Sequence, residues 1–281
     1  MIFDDTPCTL GEGVLWHHDL GALVWFDILS QRLYLKTPGG TRHHWDFPQP
    51  VSAAGIVDAD RLLIASATAL SLFDLRDGTT EELVPLEADN PMTRSNDGRA
   101  DPQGGFWIGT MGRKGEKGAG TIWRYHKGEL RALYSGLTST NSICFTPEGD
   151  RACFADTDSS LIRRVRLDRS GWPEGEPEDF IDLRSEGLRP DGAVIDAEGG
   201  LWSAQFGAGR VARYNCDGRF DRAIRLPASQ TSCPGFGGPA LDSLFVTSVR
   251  DGLKRPGPND GCTFAVDAGV AGQPEHRVLI G

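Results

Sequence analysis

The sequence predicts an all-β fold, a six-bladed β-propeller that occupies residues 1–281 as a single domain. One apolar, strand-like unit recurs six times, turn residues separate its strands, and no long stretch has the 3.6-residue period of a helix. Successive copies start 39, 44, 46, 49 and 43 residues apart, a spacing typical of propeller blades. The six apolar runs are LVWFDI from Leu23, LLIAS from Leu62, FWIGTM from Phe106, ACFADT from Ala152, LWSAQF from Leu201 and LFVTSV from Leu244.

Each apolar run is flanked by two further strand-like segments. The segment that follows ends in a polar turn, as in RLYLKTPGG, SLFDLRDG and TIWRYHKG, and the segment that precedes is often closed by PEGD, AEGG or PQGG. The chain has 36 glycines and 17 prolines, which is typical of many short strands joined by tight turns. Because a closed ring must join its two ends, we expect the N-terminal segment to pair into the last blade.

Charge and composition exclude several classes of partner. The net charge is −10, and no basic stripe of the kind that binds nucleic acid or an anionic membrane is visible. No segment has the roughly 18 consecutive apolar residues of a membrane span, and MIFDDTPCTL lacks the basic and apolar regions of a secretory signal. The six cysteines form no CxxC pair. We therefore expect a cytoplasmic protein with reduced thiols.

The first strand of each propeller blade lines the central channel, so equivalent positions of different blades converge there. Counting back ten or eleven residues from each apolar run gives one such position per blade. Four of the six positions carry polar, oxygen-bearing side chains. From blade one to blade six, the positions are Glu12, the region of Ser52, Asn96, Asn141, Asp191 and the region of Cys233-Pro234.

Asp191 lies in a Pro-Asp-Gly sequence, which alone is typical of a turn. A turn does not explain why acids and amides share one blade position. Converging carboxylates raise each other's pKa unless a cation neutralises them, so the set predicts one divalent metal ion in the channel. Two carboxylates and an amide oxygen suit Ca²⁺, Mg²⁺ or Mn²⁺, although carboxylate-rich sites also hold zinc. Three protein ligands leave coordination positions open, as in catalytic sites.

Other motifs are weaker candidates. Adjacent side chains of a strand point to opposite faces, so neither His17-His18 nor His43-His44 can chelate one ion, and we expect both pairs on the solvated surface. No GxSxG nucleophile elbow is present. The sequence GRKGEKGAG, residues 112–120, lacks the GK[ST] ending of a P-loop and is predicted to be a loop over the channel mouth.

Five motifs, in order, resemble the gluconolactonase/regucalcin (senescence marker protein) family: LGEGVLW, RSNDGRADPQGGFWIGTMG, TNSICFTPEGD, RPDGAVIDAEGGLW and CPGFGG. The likeness extends from Leu10 to about Gln273 and is greatest to the bacterial sugar-acid lactonases of that family. The resemblance implies a six-bladed propeller with one divalent metal ion in its channel. That ion would be Ca²⁺, Mg²⁺, Mn²⁺, Zn²⁺ or Fe²⁺.

The resemblance also implies roles for individual residues. Glu12, Asn141 and Asp191 match the metal-binding residues of the family, and Asp191 also matches its proton donor and acceptor. Arg94 and Asn96 match the residues that contact the substrate. Some members carry a substrate-contacting glutamate shortly after the GTM segment, where this chain has Lys114 with Glu116 nearby.

The activity implied by the resemblance is hydrolysis of a sugar lactone to the open aldonic acid. Two alternatives stay open at this point. One is another metal-dependent ester hydrolase, acting on aryl esters or phosphotriesters, which would have a more apolar channel mouth and usually a second, buried calcium ion. No second acidic cluster is visible at equivalent blade positions. The other is a non-enzymatic, calcium-binding regulatory propeller with the same metal residues. Polar Arg94 and Asn96 at the mouth favour a substrate pocket.

Overall fold

The computed structural model describes residues 1–281 and consists almost entirely of short β-strands. The first half of the chain, after β1 (Ile2–Asp4), contributes β2 (Gly11–His17), β3 (Ala22–Asp27), β4 (Arg32–Lys36), β5 (Arg42–Asp46), β6 (Val51–Ile56), β7 (Arg61–Ser66), β8 (Ala69–Asp74), β9 (Thr80–Pro85), β10 (Thr93–Ala100), β11 (Phe106–Gly112), β12 (Gly120–His126) and β13 (Glu129–Leu137). The second half contributes β14 (Thr140–Phe145), β15 (Arg151–Asp156), β16 (Leu161–Leu167), β17 (Pro173–Asp182), β18 (Pro190–Ile195), β19 (Leu201–Gln205), β20 (Arg210–Tyr214), β21 (Phe220–Arg225), β22 (Thr231–Gly237), β23 (Ser243–Ser248) and β24 (Thr263–Asp267).

These strands form six antiparallel, four-stranded sheets that are the blades of a β-propeller, which confirms the predicted fold class. Blades one to five each contain four consecutive strands, beginning with β2, β6, β10, β14 and β18. The sixth blade has the order β22-β23-β24-β1, so the N-terminal strand completes the last blade as predicted. The only helical segments are two short 3₁₀ turns, Thr157–Ser159 and Arg184–Glu186. Neither is long and apolar enough to cross a membrane.

The six predicted apolar runs are the second strands of the blades, and the fourth strands were not predicted. The fourth strands are largely exposed and polar, as in the sequence TEELVP of β9 and PEGEPEDFID of β17. They pair through the backbone with the third strand and need no apolar run, so their sequences carry little strand signal.

The core is divided into six apolar clusters, one at each interface between neighbouring blades. Full burial of a large apolar side chain contributes about 2–3 kcal/mol relative to exposure. Each interface contains at least one buried aromatic ring. From the interface of blades one and two around the ring, examples are Phe26, Phe106, Trp107, Tyr214, Trp202 and Trp25.

Two aspartates fix the turns that close the inner strands of blades three and five. Asp101 accepts hydrogen bonds from the backbone N–H groups of residues 103 and 105 at 2.9 and 2.8 Å, and from Nε of Arg124 at 2.6 Å. Asp196 does the same for residues 198 and 200, at 3.0 and 2.8 Å, and for Nε of Arg213 at 2.7 Å. The predicted PQGG and AEGG turns are therefore anchored to the third strand of the same blade.

His17 is fully buried at the end of β2, so the prediction of a solvated His17-His18 pair was wrong for its first member. Arg277, near the C-terminus, donates a hydrogen bond to Asp19 at 2.6 Å and lies beside His18, so the C-terminal segment covers this corner. The sequence could not show that a distant segment folds back here. The pair His43-His44 is exposed, as predicted.

Substitution Asp101→Asn should lower the free energy of unfolding by about 3–5 kcal/mol, because it leaves the Arg124 cation buried without its carboxylate. The measurement is urea unfolding followed by fluorescence. Glu129→Gln is the matched control, since Glu129 pairs with Arg131 on the exposed surface and should change stability little. Equal losses in the two variants would contradict the prediction.

Burial lowers the pKa of His17. Protonation therefore favours the unfolded state, and the stability that neutral His17 contributes above its unfolded pKa is lost as the pH falls. Wild-type protein should lose more stability between pH 7.5 and pH 5 than His17→Leu, in thermal unfolding at each pH. His43→Leu, at the surface, should behave as wild type. A His17→Leu variant with the wild-type pH profile would rule out this contribution.

Candidate functional site

A β-bulge in each of the six inner strands aims polar side chains into the channel. The register shifts lie between Glu12 and Leu15 in β2, and between Asn141 and Cys144 in β14, with equivalent shifts in the other four inner strands. Bulges of this kind redirect a side chain next to a functional site. Gly13 has a φ of +57°, and a Cβ there would lie 2.2 Å from the carbonyl oxygen of Ser52, so only glycine fits after Glu12.

Two further aspartates hold the segments that lead into these bulges. Asp27, at the end of β3, accepts hydrogen bonds from the backbone N–H groups of residues 9 and 10 at 2.8 and 3.0 Å. Asp156, at the end of β15, accepts them from residues 138 and 139, both at 3.0 Å. Each pair of donors lies two to three residues ahead of a bulge side chain. The second strand of the blade therefore fixes where the bulge begins.

The channel opens at one end into a cavity of about 140 Å³. All five predicted site residues line it, contributed by blades one, three, four and five. The lining residues are Leu10, Glu12, Arg94, Asn96, Met111, Ser139, Asn141, Thr157, Arg189, Asp191 and Phe206.

A chain of hydrogen bonds links the side chains of the cavity wall. Nη1 of Arg94 donates to Oδ1 of Asn96 at 2.8 Å, and Nδ2 of Asn96 donates to Oδ1 of Asn141 at 3.1 Å. Nδ2 of Asn141 donates to Oγ1 of Thr157 at 2.7 Å, and that hydroxyl donates to the carbonyl oxygen of Pro190, also at 2.7 Å. Each amide is thereby held in one orientation, and the chain ends one residue before Asp191.

Three carboxylates are buried together beneath the cavity opening. Burial raises the pKa of Glu12, and the charges of Asp191 and Asp97 raise it further. Burial likewise raises the pKa of Asp191, and the charge of Asp97 adds to the effect. Burial raises the pKa of Asp97 to about 6. All three carboxylates therefore lack enough favourable contacts within the protein to hold their charges easily.

Asp97 was not among the predicted site residues. It directly follows Asn96, and neighbouring residues of a regular strand point to opposite faces. The bulge between Ser95 and Gly98 breaks this alternation, so both side chains reach the interior of the channel. Oδ2 of Asp97 accepts a hydrogen bond from the backbone N–H of Ile143 in the next blade at 2.8 Å. The sequence SNDG shows the acid, but the bulge that turns it inward could not be predicted from these residues.

Arg94 is the cation of the cavity wall that has no carboxylate partner. It is buried, and Nη1 donates to the carbonyl oxygen of Ser95 and to the amide oxygen of Asn96, both at 2.8 Å. Burial lowers its pKa to about 10. Arg189, the other arginine of the wall, is half exposed and pairs with Asp158 at 3.4 Å. When all three buried carboxylates are ionised, one unpaired arginine thus leaves an excess of two negative charges.

The donor set fits a single divalent cation. Glu12, Asp191 and Asn141 offer two carboxylates and an amide oxygen, the ligands that hard cations prefer. The excess of two negative charges equals the charge of one such ion. The structure contains no group of three or more His, Cys, Asp or Glu side chains placed to hold a metal. The candidate ligand set contains only two acids, Glu12 and Asp191, and the amide oxygen of Asn141 takes the place of a third.

Several residues considered from the sequence do not line the cavity. The loop of residues 112–120 begins just after Met111 at this end of the channel, but its charged side chains lie outside the wall. Glu116 folds back into its own loop, where Oε2 accepts a hydrogen bond from the backbone N–H of Lys114 at 3.0 Å. Ser52 is buried beside the hydroxyl of Ser95 at 2.8 Å, and Cys233 is buried in the apolar cluster between blades six and one.

Comparison with known proteins identifies relatives over the whole chain. The family described as SMP-30/Gluconolactonase/LRE-like region matches residues 10–250. The L-arabinolactonase of Azospirillum brasilense is 34% identical over 97% of this chain and 93% of its own length. The pentonolactonase of Haloferax volcanii is 32% identical over 97% of this chain and 96% of its own. The crystal structure of a calcium-binding protein, regucalcin, from Agrobacterium tumefaciens has 39% identity and a TM-score of 0.96, covering 99% of this chain and 97% of that one.

Substitution Thr157→Val should lower the free energy of unfolding by about 1–3 kcal/mol, because Asn141 and the carbonyl oxygen of Pro190 both lose a buried hydrogen bond. Urea unfolding measures the change. Thr80→Val, on the exposed strand β9, replaces the same hydroxyl where it is solvated and should have little effect. Matching stabilities of the two variants would show that the chain of hydrogen bonds contributes nothing.

Proposed function

The chain belongs to the SMP-30/gluconolactonase/LRE-like family, and from that membership we propose that it is a metal-dependent hydrolase that opens a sugar lactone to its aldonic acid. The main observation in support of the proposal is that two groups of side chains line one cavity. The candidate metal ligands Glu12, Asn141 and Asp191 lie in the same wall as Arg94 and Asn96. The names of two relatives, an L-arabinolactonase and a pentonolactonase, support an aldonolactone as the substrate class. The six free cysteines are compatible with a cytoplasmic location, which is part of the proposal.

Glu12, Asn141 and Asp191 would hold the divalent ion. When bound, such an ion polarises a carbonyl oxygen and stabilises the negative charge that develops on it. The three protein ligands come from three blades, and each is fixed by its own bulge. Asn141 is further fixed by Thr157, which holds its amide nitrogen and so turns its oxygen the other way.

Asp191 would act as the general base and then as the general acid. It takes a proton from the attacking water as the water oxygen bonds to the lactone carbonyl carbon. The bond between that carbon and the ring oxygen then breaks, and Asp191 returns the proton to the ring oxygen. Asp191 suits this exchange because its carboxyl group is buried in the wall of the cavity that the lactone would enter.

Arg94 and Asn96 would orient the lactone. The Nη1 atom of Arg94 is already committed to Ser95 and Asn96, which fixes the guanidinium plane and leaves its remaining N–H groups available to the cavity. A buried arginine without a carboxylate partner is suited to an oxygen that gains negative charge in the transition state. Leu10, Met111 and Phe206 supply the apolar part of the wall and would pack against the sugar carbons.

The test is acid release from a panel of aldonolactones, followed with a pH indicator. Chelator-treated protein should hydrolyse arabinono-, xylono-, galactono- or glucono-lactone above the spontaneous rate only after addition of Mg²⁺, Mn²⁺, Ca²⁺, Zn²⁺ or Fe²⁺. Asp191→Asn should keep the fold and lose about 10²–10⁴-fold in turnover, the range of general acid–base catalysis. Lys114→Ala, which lies outside the cavity wall, should retain wild-type turnover.

Full turnover by Asp191→Asn would remove this residue from the mechanism. Metal binding without acid release from any lactone would instead favour a calcium-binding regulatory propeller. That second function is favoured by one observation, the likeness to a calcium-binding regucalcin at 39% identity.

A further inference from the structure

The end of the channel opposite the cavity is crossed by the C-terminal strap, which we define as residues 271–281. Its backbone begins at blade five, where the carbonyl oxygen of Ala271 accepts a hydrogen bond from residue 197 at 2.9 Å. It reaches blade two, where the N–H of Val278 donates to the carbonyl oxygen of Ile56 at 2.7 Å. Between these points, Nε2 of Gln273 donates to the carbonyl oxygens of Phe145 and Ile195, at 3.2 and 2.9 Å.

The strap places one carboxylate against a buried arginine of the channel. Glu275 pairs with Nη1 of Arg99, and the two side chains are only 10% and 11% exposed. Arg99 extends from the inner strand of blade three, and its Nη2 lies 3.5 Å from the carbonyl oxygen of Pro234 in blade six. The Arg99 side chain therefore reaches across the channel from blade three to blade six.

Arg99 is also a cation close in sequence to one of the three buried acids of the candidate site, Asp97. It lies two residues after Asp97 on β10, and its positive charge opposes the effect of burial on the pKa of Asp97. Arg99 thus forms an ion pair with Glu275 on the side of the strap, and its charge also acts on Asp97 on the side of the cavity. While Glu275 neutralises Arg99, the three acids beneath the cavity retain their excess of two negative charges.

We propose that Glu275 is a positioning residue for the divalent-ion site, which it controls by neutralising the charge of Arg99, two residues from Asp97 on β10. The proposal rests on the metal site of the proposed function. It gives the C-terminal strap a role beyond closing the channel, because the strap sets the net charge that the ion encounters. It also predicts opposite effects for the two partners of one ion pair.

The experiment is isothermal titration calorimetry of Mn²⁺ and Ca²⁺ into chelator-treated, full-length protein at one pH and without lactone. Glu275→Gln should weaken binding about tenfold, which corresponds to about 1.4 kcal/mol, because Arg99 is then free to neutralise Asp97. Arg99→Gln should tighten binding, because it removes a cation from the channel. The double variant removes one charge of each sign and should return to within about twofold of wild type, since the net charge is restored.

Gln273→Ala is the control for damage to the strap, because it removes two hydrogen bonds but no charge. It should lower the thermal unfolding midpoint and leave the metal affinity unchanged. A purely structural ion pair predicts instead that Glu275→Gln and Arg99→Gln both weaken binding, with no recovery in the double variant, and that result would overturn the proposal. So would unchanged affinity in both variants.

If Arg99→Gln fails to fold, the double variant decides. Recovery of affinity relative to Glu275→Gln supports charge control, and an affinity as weak as that of Glu275→Gln overturns it. Wild-type protein that binds neither ion would overturn the metal site and this inference together. Wild-type protein that binds the ions but opens no lactone would overturn the proposed activity alone.

Discussion

The inner strands of the six blades pack against one another around a single axis, which forces side chains from all six blades into one narrow channel. These strands are β2, β6, β10, β14, β18 and β22. A bulge in each strand disturbs the alternation of side chains at the point where the strands converge. At Asn96 and Asp97 this permits two consecutive side chains to reach the interior, where a regular strand would send one outward. The density of polar groups in the channel therefore comes from convergence and bulging together.

This arrangement is unfavourable by itself. Burial raises the pKa of Glu12, Asp97 and Asp191, and the charge of Asp97 raises the pKa of Glu12 and Asp191 further. The rest of the ring must hold them in place, and it does so with rigid elements away from the axis. Six apolar clusters pack between neighbouring blades and hold them together. The buried ion pairs Asp101–Arg124 and Asp196–Arg213 connect the inner turns to the third strands. Because the blade interfaces stabilise the fold, the channel can contain buried charged groups that lack partners within the protein. A divalent ion or a substrate would supply those partners.

Sequence periodicity was sufficient for the fold, because three strands of every blade carry apolar or turn signals that a propeller requires. It missed the fourth strands, whose exposed positions impose no apolar pattern. It also misplaced His17, which is buried at the end of the inner strand β2. For the site, counting from the apolar runs placed Glu12, Asn96, Asn141 and Asp191 in one cavity. The same counting did not find Asp97, because a bulge changes the register of β10. It did not find Glu275, because that residue belongs to no blade.

The site is asymmetric although the fold is a six-fold repeat, and this asymmetry is what the proposed binding of one ion by six similar strands requires. Blades two and six place the small side chains of Ser52 and Ser232 near the axis, where they bond to neighbouring strands. The cavity wall is consequently drawn from blades one, three, four and five alone. Had all six blades contributed acids, their repulsion would have required more than one cation. The repeat brings equivalent positions of the six blades together at the axis. The residues that differ between blades determine the net charge that a ligand encounters there.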